Sequence, residues 1–575
     1  MTVPAATDQR VLASMLATLS APELAALLTA RGISPTVGWR DFFDAADGML
    51  EPTAVSRALE SLPATPARAL SAAVLTGSAL TDAAAADLAE RAFAGTDGQI
   101  FDAVADAVRQ VGALAPPTAP AASTNNASDD ATAAERAFTS AASLADILLL
   151  CLETPLGRIG SGSLGAVDRR RLVEAGAIPA VEDADLLVEI AETGGLLTGR
   201  ERTFLVSPVG REWLRTTTAA RWESIALALR DALPAGLREP TGGWIPAPEW
   251  PDAYPFDRSW PAVATEWRRR LTAWGLLTDE GTEPTWAAPL ARGAHADTAS
   301  WERMLPPEVD RVYLQNDLTA IAPGPLAPEL DVRLRTMARR ESRAQASTYR
   351  FTADTVAAAI TGGETAESLR DFLQKLSLTG LPQPLAYVID STAARHGRVR
   401  VHRDADTGLT RVTSADPALL ATIAVDQALR PLGLVDDGDE LVSRAAHDTV
   451  FWALADAKYP VIAVDAQGAP RTLDRARLAG DTPLDAPVQR YAALLERLHA
   501  SASDGDEAWL ERELDHAVRA RAIVDVDVAL PDGTTRTFRL EATGLGGGRL
   551  RGRDRGADVE RTLPLTSIVS VRPAG

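Results

Sequence analysis

The sequence predicts a multidomain, mainly α-helical protein with small β-hairpins, of the α+β class. Its 575 residues are enough for three to five compact units. Hydrophobic residues make up 46% of the chain and charged residues 24%, which is ordinary for a protein with sizeable cores. A helix that ends at glycine and continues into a short hairpin occurs twice, eighty residues apart, which predicts tandem winged-helix units.

The N-terminal part, residues 1–112, is predicted to be a helical domain. Leucine and alanine recur at helical spacing in it, and Ser20 followed by Glu23 predicts a capping box. Residues 113–135 carry almost no bulky apolar side chain, so they cannot bury enough surface to offset their ordering entropy. We interpret this segment as a disordered linker.

The first winged helix is predicted over residues 136–235, where GLLT (195–198) ends the third helix and a charged turn begins the hairpin. The second unit, 236–304, repeats GLLT after the helix EWRRRLTAW. A weaker copy lies in a helical, winged-helix-like unit over 404–517. Winged helices contact DNA or serve as protein–protein modules, and the pattern favours neither.

The segment 305–403 has a different character, with a strand that ends in a Pro-Gly-Pro turn and two helices that begin after threonine. Between Asp331 and Arg403 there are 12 basic and 7 acidic side chains, a net charge of +5 in a chain of net charge -20. The runs QNDLTAIAPGPL, YRFT and LPQPLAYVIDSTAARHGRVRV resemble the helicase-associated α/β domain of the XPB/Ssl2 type, which occurs in actinobacterial proteins. The resemblance implies a domain that accompanies an ATPase motor and contacts DNA, as in DNA repair.

The C-terminal residues 518–575 are predicted to be a β-domain. Val524, Val526 and Val528 alternate, Asp532 and Gly533 mark a turn, and GLGGGRLRGRD supplies a second turn and a basic strand. This pattern resembles the small β-barrel-like part of WYL domains. The resemblance implies a nucleic-acid or nucleotide ligand.

Several classes of function are excluded by residues that the chain lacks. Its two lysines follow Gln374 and Ala457, whereas a P-loop requires lysine after glycine, so there is no Walker A site and we predict no enzymatic activity. The single cysteine, Cys151, and six scattered histidines predict neither a disulfide nor a metal site. The motif G-x-G-x-x-G at 160–165 does not directly follow a buried strand, so we interpret it as a turn and expect no cofactor.

The acidic balance, with a pI near 4.9, opposes indiscriminate binding to nucleic acid or anionic membranes. The sequence MTVPAATDQR lacks the features of a signal peptide, and no apolar run is long enough to span a membrane. We therefore expect a cytoplasmic protein, associated with the nucleoid if it binds DNA, with no membrane partner.

Arginine clusters are the candidate functional residues, because the planar guanidinium group matches phosphate and a hairpin arginine can enter a minor groove. An alternative is that an arginine-rich chain uses arginine where others use lysine, paired with acidic neighbours. Arg268–Arg270 are assigned to that alternative. The predicted DNA-binding residues are Arg169, Arg170, Arg171, Arg200, Arg202, Arg333, Arg335, Arg339, Arg340 and Arg343.

Three functions remain open at this point. The first is a DNA-binding, helicase-associated accessory protein that lacks its own motor and binds duplex or forked DNA. The second is a protein–protein scaffold that recruits a separate helicase or nuclease. The third is a WYL-type transcription regulator whose C-terminal domain senses a ligand.

Overall fold

The architecture is multidomain α+β, with five hydrophobic cores and four small sheets in the part of the chain that is described. The structure is a computed structural model that describes residues 6–117, 127–343, 346–465, 467–474, 477–480, 486–502, 505–519, 521–530 and 534–573. None of the helices in these ranges combines the length and apolar character that crossing a membrane requires.

The first core is built from seven short helices. Ser20 and Glu23 form the predicted capping box at the start of the second helix, where the Ser20 backbone N–H donates to the Glu23 carboxylate at 2.8 Å. The helices are α1 (Ala6–Thr18), α2 (Ala21–Ala30), α3 (Phe42–Leu50), α4 (Pro52–Glu60), α5 (Ala64–Thr76), α6 (Asp82–Glu90) and α7 (Asp102–Val111).

The second core extends from Ala133 to Trp301 and includes both predicted winged-helix units. Trp222 packs against Trp286 and Trp301, with ring centroids 4.9 and 5.1 Å away, and those two rings also contact each other at 5.8 Å. The elements are α8 (Ala127–Glu153), β1 (Leu156–Gly157), α9 (Ala166–Glu174), α10 (Asp183–Thr193), β2 (Leu197–Arg200), β3 (Thr203–Val206), α11 (Pro208–Trp213), α12 (Thr218–Ala232), α13 (Trp260–Ala273), α14 (Ala288–Ala291) and α15 (Thr298–Glu302). The two halves are therefore one packed unit.

The linker prediction over 113–135 is wrong for its last part, since residues 127–135 are the first turns of α8. Alanine is sufficient there because the helix packs closely: a Cβ at Gly275 would lie 2.5 Å from the Ala133 carbonyl oxygen. The buried Asp130 carboxylate accepts a hydrogen bond of 2.5 Å from the Thr285 hydroxyl. Residues 118–126 of the predicted linker lie outside the described residues.

The first predicted hairpin is present and the second is not. The pairs β1–β3 and β2–β3 form an antiparallel sheet of order β1-β3-β2 after α10. Between 236 and 304, all of which is described, no strand forms. The Thr278 N–H instead donates to the Thr282 carbonyl at 2.8 Å in a tight turn, and the chain then buries Trp286 rather than returning as a strand.

The third core lies between a four-stranded antiparallel sheet of order β4-β5-β7-β6 and four helices. Thr352 and Thr365 cap two of these helices, as predicted, by accepting from the backbone N–H groups of Thr355 and Ser368. The elements are β4 (Tyr313–Leu314), β5 (Thr319–Ala322), α16 (Pro328–Met337), β6 (Arg339–Arg343), β7 (Ser347–Arg350), α17 (Ala353–Thr361), α18 (Ala366–Leu376) and α19 (Gln383–Arg395).

The fourth core lies under a six-stranded sheet of order β10-β11-β9-β8-β12-β13, in which only β8 and β12 pair in parallel. Its first strand belongs to the segment predicted as 305–403, so that boundary is too late: Val399 and Val401 pair with β9 and β12. The elements are β8 (Val399–Arg403), β9 (Thr410–Ser414), α20 (Pro417–Val425), β10 (Val435–Asp436), β11 (Glu440–Ser443), α21 (His447–Asp456), β12 (Val461–Val464) and β13 (Pro470–Arg471).

Two later helices, α22 (Pro487–Arg490) and α23 (Ala492–Ala502), leave this sheet and complete the first core. Tyr491 between them is buried, and its hydroxyl donates to the Ile33 carbonyl at 2.6 Å. The predicted unit 404–517 is therefore divided among three cores, because its last helix, Gly505–Arg519, packs in the fifth. The apolar side chains of α22 and α23 pack against the N-terminal helices, which are far away in sequence. Local periodicity does not reveal such a partner.

The fifth core is covered by α24 (Gly505–Arg519) and a five-stranded antiparallel sheet of order β17-β16-β15-β14-β18. The predicted barrel-like closure is wrong for the described residues, because the edge strands β17 and β18 do not pair with each other. The strands are β14 (Ile523–Ala529), β15 (Thr535–Gly546), β16 (Arg549–Asp554), β17 (Val559–Pro564) and β18 (Ile568–Pro573).

Candidate nucleic-acid interface

The β2–β3 hairpin carries two of the predicted arginines. Its tip turns at Glu201, whose φ of +44° lies in the left-handed region. Arg200 donates to the Gly480 carbonyl at 2.7 Å, so a later segment of the chain occupies it. Arg202 is exposed, and its side chain makes no hydrogen bond or ion pair with the described residues. The hairpin thus offers Arg202 to an external anion.

Helix α9 carries Arg169, Arg170 and Arg171, and two of them are engaged in ion pairs. Arg169 pairs with Asp185 at 2.8 Å, and Arg171 pairs with Asp168 at 3.1 Å. The same carboxylates accept from the backbone N–H groups of residues 164 and 157, at 3.0 and 2.8 Å, so these pairs hold the glycine-rich turn. Arg170 is exposed and reaches only the Ala166 carbonyl of its own helix, at 3.4 Å.

The helix that precedes the hairpin, α10, has the wrong charge for a recognition helix. It carries four acidic side chains and no basic one: Asp183, Asp185, Glu189 and Glu192. A helix that enters a DNA groove through such a face would meet phosphate repulsion. Burial raises the pKa of Glu192, although the Gly199 N–H and Arg158 oppose that shift. The hairpin and α9 are therefore better placed than α10 for a DNA contact.

The five predicted arginines between Arg333 and Arg343 have different surroundings. Arg333 donates to both oxygens of Glu364, at 3.0 and 3.2 Å, and lies 4.4 Å from the centroid of the Phe372 ring. Arg339 is exposed and has no side-chain partner in the described residues. The side chain of Arg343 lies outside what the structure describes.

Arg335 and Arg340 converge on one buried carboxylate, that of Asp146 in α8. Arg335 donates to Oδ1 at 2.5 Å and Arg340 donates to Oδ2. The side chain of Asp146 is 3% exposed, against 17% for Arg335 and 13% for Arg340. Burial lowers the pKa of Arg335, but the charges of Asp146 and Asp331 outweigh burial and raise it. Both arginines are therefore bound to a carboxylate of the protein itself, and these ion pairs join the second and third cores.

Other buried polar groups surround this joint. The Tyr349 hydroxyl donates to Asp331 at 2.6 Å, and burial together with Asp331 raises the pKa of Tyr349. Arg221 of α12 is buried, donates to the Trp213 and Leu214 carbonyls, and burial lowers its pKa to about 10. The sequence analysis missed Asp146 as a functional position. The sequence does mark this position: a single carboxylate inside an apolar helical run needs a buried cationic partner.

The three elements that carry the unpaired arginines meet at one end of α8. Strand β6 contacts it through Arg340 and Asp146, the hairpin through the Cys151 thiol, which donates to the Phe204 carbonyl at 3.4 Å, and α9 through Arg171, which donates to the Thr154 carbonyl at 2.9 Å. Asp146 and Thr154 are eight residues apart, which corresponds to about 12 Å along a helix, so the three contacts are close to one another. Cys151 is buried, and burial raises its pKa to about 11.

In a comparison with known protein families, one family matches the third core and half of the following sheet. A family described as the helicase conserved C-terminal domain matches residues 312–436, from the strand before β5 to the end of β10. The prediction of a helicase-associated domain is therefore confirmed at this level. A search of curated proteins found no match.

Proposed function

We propose that this chain is a helicase-associated accessory protein that binds DNA and works with an ATPase motor carried by a separate protein. The match to a helicase C-terminal domain over residues 312–436 carries the proposal. The finer relationships to the XPB/Ssl2 type and, for the C-terminal sheet, to WYL domains belong to the same proposal.

The DNA contact is proposed at the end of α8, through Arg170, Arg202 and Arg339. These side chains are exposed, and the described structure gives none of them an acidic partner. Each guanidinium group can donate two parallel hydrogen bonds to a phosphate. The remaining predicted arginines with described side chains already donate to carboxylates or carbonyl groups of the protein. Fewer of their N–H groups are therefore available to bind a ligand.

The test is fluorescence anisotropy of the full chain on duplex, forked and single-stranded oligonucleotides over a salt series. We expect Arg170→Ala/Arg202→Ala/Arg339→Ala to weaken duplex binding at least tenfold and to reduce the salt slope by about 2 to 3, since each phosphate contact contributes ~0.9. Arg269→Ala is the matched control, because Arg269 is half exposed but pairs with Glu266 at 3.0 Å. Wild-type protein that binds no DNA at low salt would refute the proposal.

A protein–protein scaffold is the second candidate, and the acidic face of α10 favours it. Four carboxylates on one short helix, in a chain of net charge -20, suit a basic protein partner better than DNA. Two of them are already paired within the chain, Asp185 with Arg169 and Glu189 with Arg270, each at 2.8 Å, so Asp183 and Glu192 are the carboxylates of this helix without an ion pair in the described structure. This function requires that purified wild-type chain form a salt-sensitive complex with an ATPase-bearing helicase in the absence of DNA. Failure of that complex at low salt, with intact DNA binding, would remove the scaffold alternative.

A further inference from the structure

Strand β16 presents three arginines to solvent on the outer face of the C-terminal sheet. Arg549, Arg551 and Arg553 are exposed and alternate with the buried residues Leu550 and Gly552. Successive residues on one face of a strand are about 6.8 Å apart, so the three arginine side chains leave the sheet at regular intervals on the same face.

The surroundings of these arginines change along the strand. Arg553 lies opposite Glu541 on β15 and Glu560 on β17, and it pairs with Asp558 at 2.8 Å. Its charge is therefore neutralised by the protein.

Arg551 and Arg549 meet no acidic side chain across the sheet. Arg551 lies opposite Gly544 and Thr562, and Arg549 lies opposite Gly546 and Pro564. Neither arginine makes a side-chain hydrogen bond, ion pair or ring contact in the described structure.

The other described strand arginines of this sheet all have partners. Arg539, Arg572 and Arg561 pair with Asp525, Asp527 and Asp554 at 2.9, 2.6 and 2.5 Å. Arg536 lies 5.1 Å from the centroid of the Phe538 ring. The two free guanidinium groups thus belong to neighbouring positions on one face of a sheet whose other described arginines contact a carboxylate or an aromatic ring.

The two glycines beside them lie at a β-bulge between Ala542 and Gly544 and at the last position of β15, before the turn at Gly547 and Gly548. Neither Gly544 nor Gly546 has a positive φ, and an added Cβ would meet nothing within 4 Å at either position. Glycine in a strand marks a bulge or a place where a ligand approaches the backbone, and the free space at both positions allows the second role as well as the first. Here the two glycines leave a flat, side-chain-free floor directly beside the two unpaired arginines.

We propose that the outer face formed by Gly544, Gly546, Arg549 and Arg551 binds successive phosphates of a nucleic-acid strand. The inference rests on the proposed function and adds to it a second contact, on the C-terminal sheet. Two arginine forks in line bind repeating phosphates, and the glycine floor leaves room for the sugars and bases that phosphates carry. Such a contact is independent of base sequence.

The test uses the full chain and a fluorescent single-stranded oligonucleotide over a salt series. We expect Arg549→Ala/Arg551→Ala to weaken binding at least tenfold and to lower the salt slope by about 1.4, at ~0.7 per phosphate of a single strand. Arg553→Ala, the neighbour on the same face, should change affinity less than twofold. Gly544→Val fills the floor without changing charge and should weaken binding at least threefold, with the melting temperature of the protein as the check on folding.

The outcomes separate this inference from the proposed function. Unchanged affinity and slope in Arg549→Ala/Arg551→Ala, together with a loss in Arg170→Ala/Arg202→Ala/Arg339→Ala, overturn the inference alone. Wild-type protein that binds no oligonucleotide overturns both. Displacement of the oligonucleotide by polyglutamate as readily as by inorganic polyphosphate, at equal charge, assigns the face to acidic peptide and overturns the phosphate assignment.

Discussion

The β2–β3 hairpin and the α16–β6 segment both bring arginines to helix α8, but they present the charges in opposite ways. In α16–β6, Arg335 and Arg340 donate to the buried carboxylate of Asp146. On the hairpin, Arg202 stands exposed without a partner in the described structure. Equal density of arginine in the sequence therefore leads to a structural joint in one place and to an available cation in the other, and the position of the acids decides which.

The largest expected effect comes from removing the carboxylate of the joint. Asp146→Ala leaves the mostly buried Arg340 guanidinium unpaired and Arg335 with the Asp331 carboxylate alone, at 3.7 Å, and we expect it to lower the free energy of unfolding by about 3–5 kcal/mol. The control is Asp279→Ala, because Asp279 is 70% exposed and pairs with Arg136 at the surface. We expect that control to cost less than about 1 kcal/mol.

Differential scanning calorimetry of both variants tests this prediction, with the transition that contains the second and third cores followed separately. Equal melting temperatures for Asp146→Ala and wild type would show that the joint contributes nothing and would remove the distinction between the two regions.

The exposed side of the comparison is tested by a single hairpin substitution. Arg202→Ala should weaken binding to duplex DNA about five- to tenfold and lower the salt slope by ~0.9, the value for one phosphate. The measurement is anisotropy at several salt concentrations, and Arg200→Ala, whose side chain is held by the Gly480 carbonyl, is the neighbouring control. A larger loss in Arg200→Ala than in Arg202→Ala would reverse the assignment.

The comparison becomes sharper if the joint is made apolar as a whole. In Asp146→Leu/Arg335→Met/Arg340→Met, Asp331 loses its ion pair with Arg335 but still accepts from the Tyr349 hydroxyl, so we expect stability within about 1 kcal/mol of wild type. DNA affinity should remain unchanged, because these groups are already occupied. Lost affinity in a stable triple variant would show that Arg335 or Arg340 does contact DNA.

The smallest effect concerns a basic group that is held neutral. His396 follows α19 and is half-buried, and burial lowers its pKa below the ordinary 6.5. Between the two pKa values the unfolded chain binds more protons than the folded chain, so stability is complete above pH 6.5 and decreases as the pH falls through that value.

Melting temperatures at about pH 7.5 and about pH 5.5 test this linkage. His396→Asn should show a smaller loss on acidification than wild type. An equal loss in both proteins would assign the acid sensitivity to other groups.

Local features could be predicted from the sequence with good accuracy. The capping box at Ser20, the threonine caps at Thr352 and Thr365, and the first hairpin depend on neighbouring residues, and all four are present. The helicase-associated segment was identified by short motifs for the same reason, and the family match covers 312–436.

Features that depend on distant residues could not be predicted. The alanines of α8 pack only because Gly275 allows close approach, and Arg340 is neutralised because Asp146, 194 residues earlier, is brought beside it. The prediction of a second hairpin was wrong because Trp286 is buried in a core that two predicted domains share. Residue pattern and composition predict the local structure of each segment, but they do not show which distant segment packs against it.

The return of α22 and α23 to the N-terminal helices has a consequence for synthesis on the ribosome. Tyr491 follows Val111, the end of α7, by 380 residues. At ~5–20 residues per second, the nascent N-terminal helices wait roughly 20 to 75 s before the side chains that complete their core emerge. During that interval the apolar groove that later receives Leu494 and Leu498 is open to chaperones and to other nascent chains, so folding of the first domain is finished late in translation.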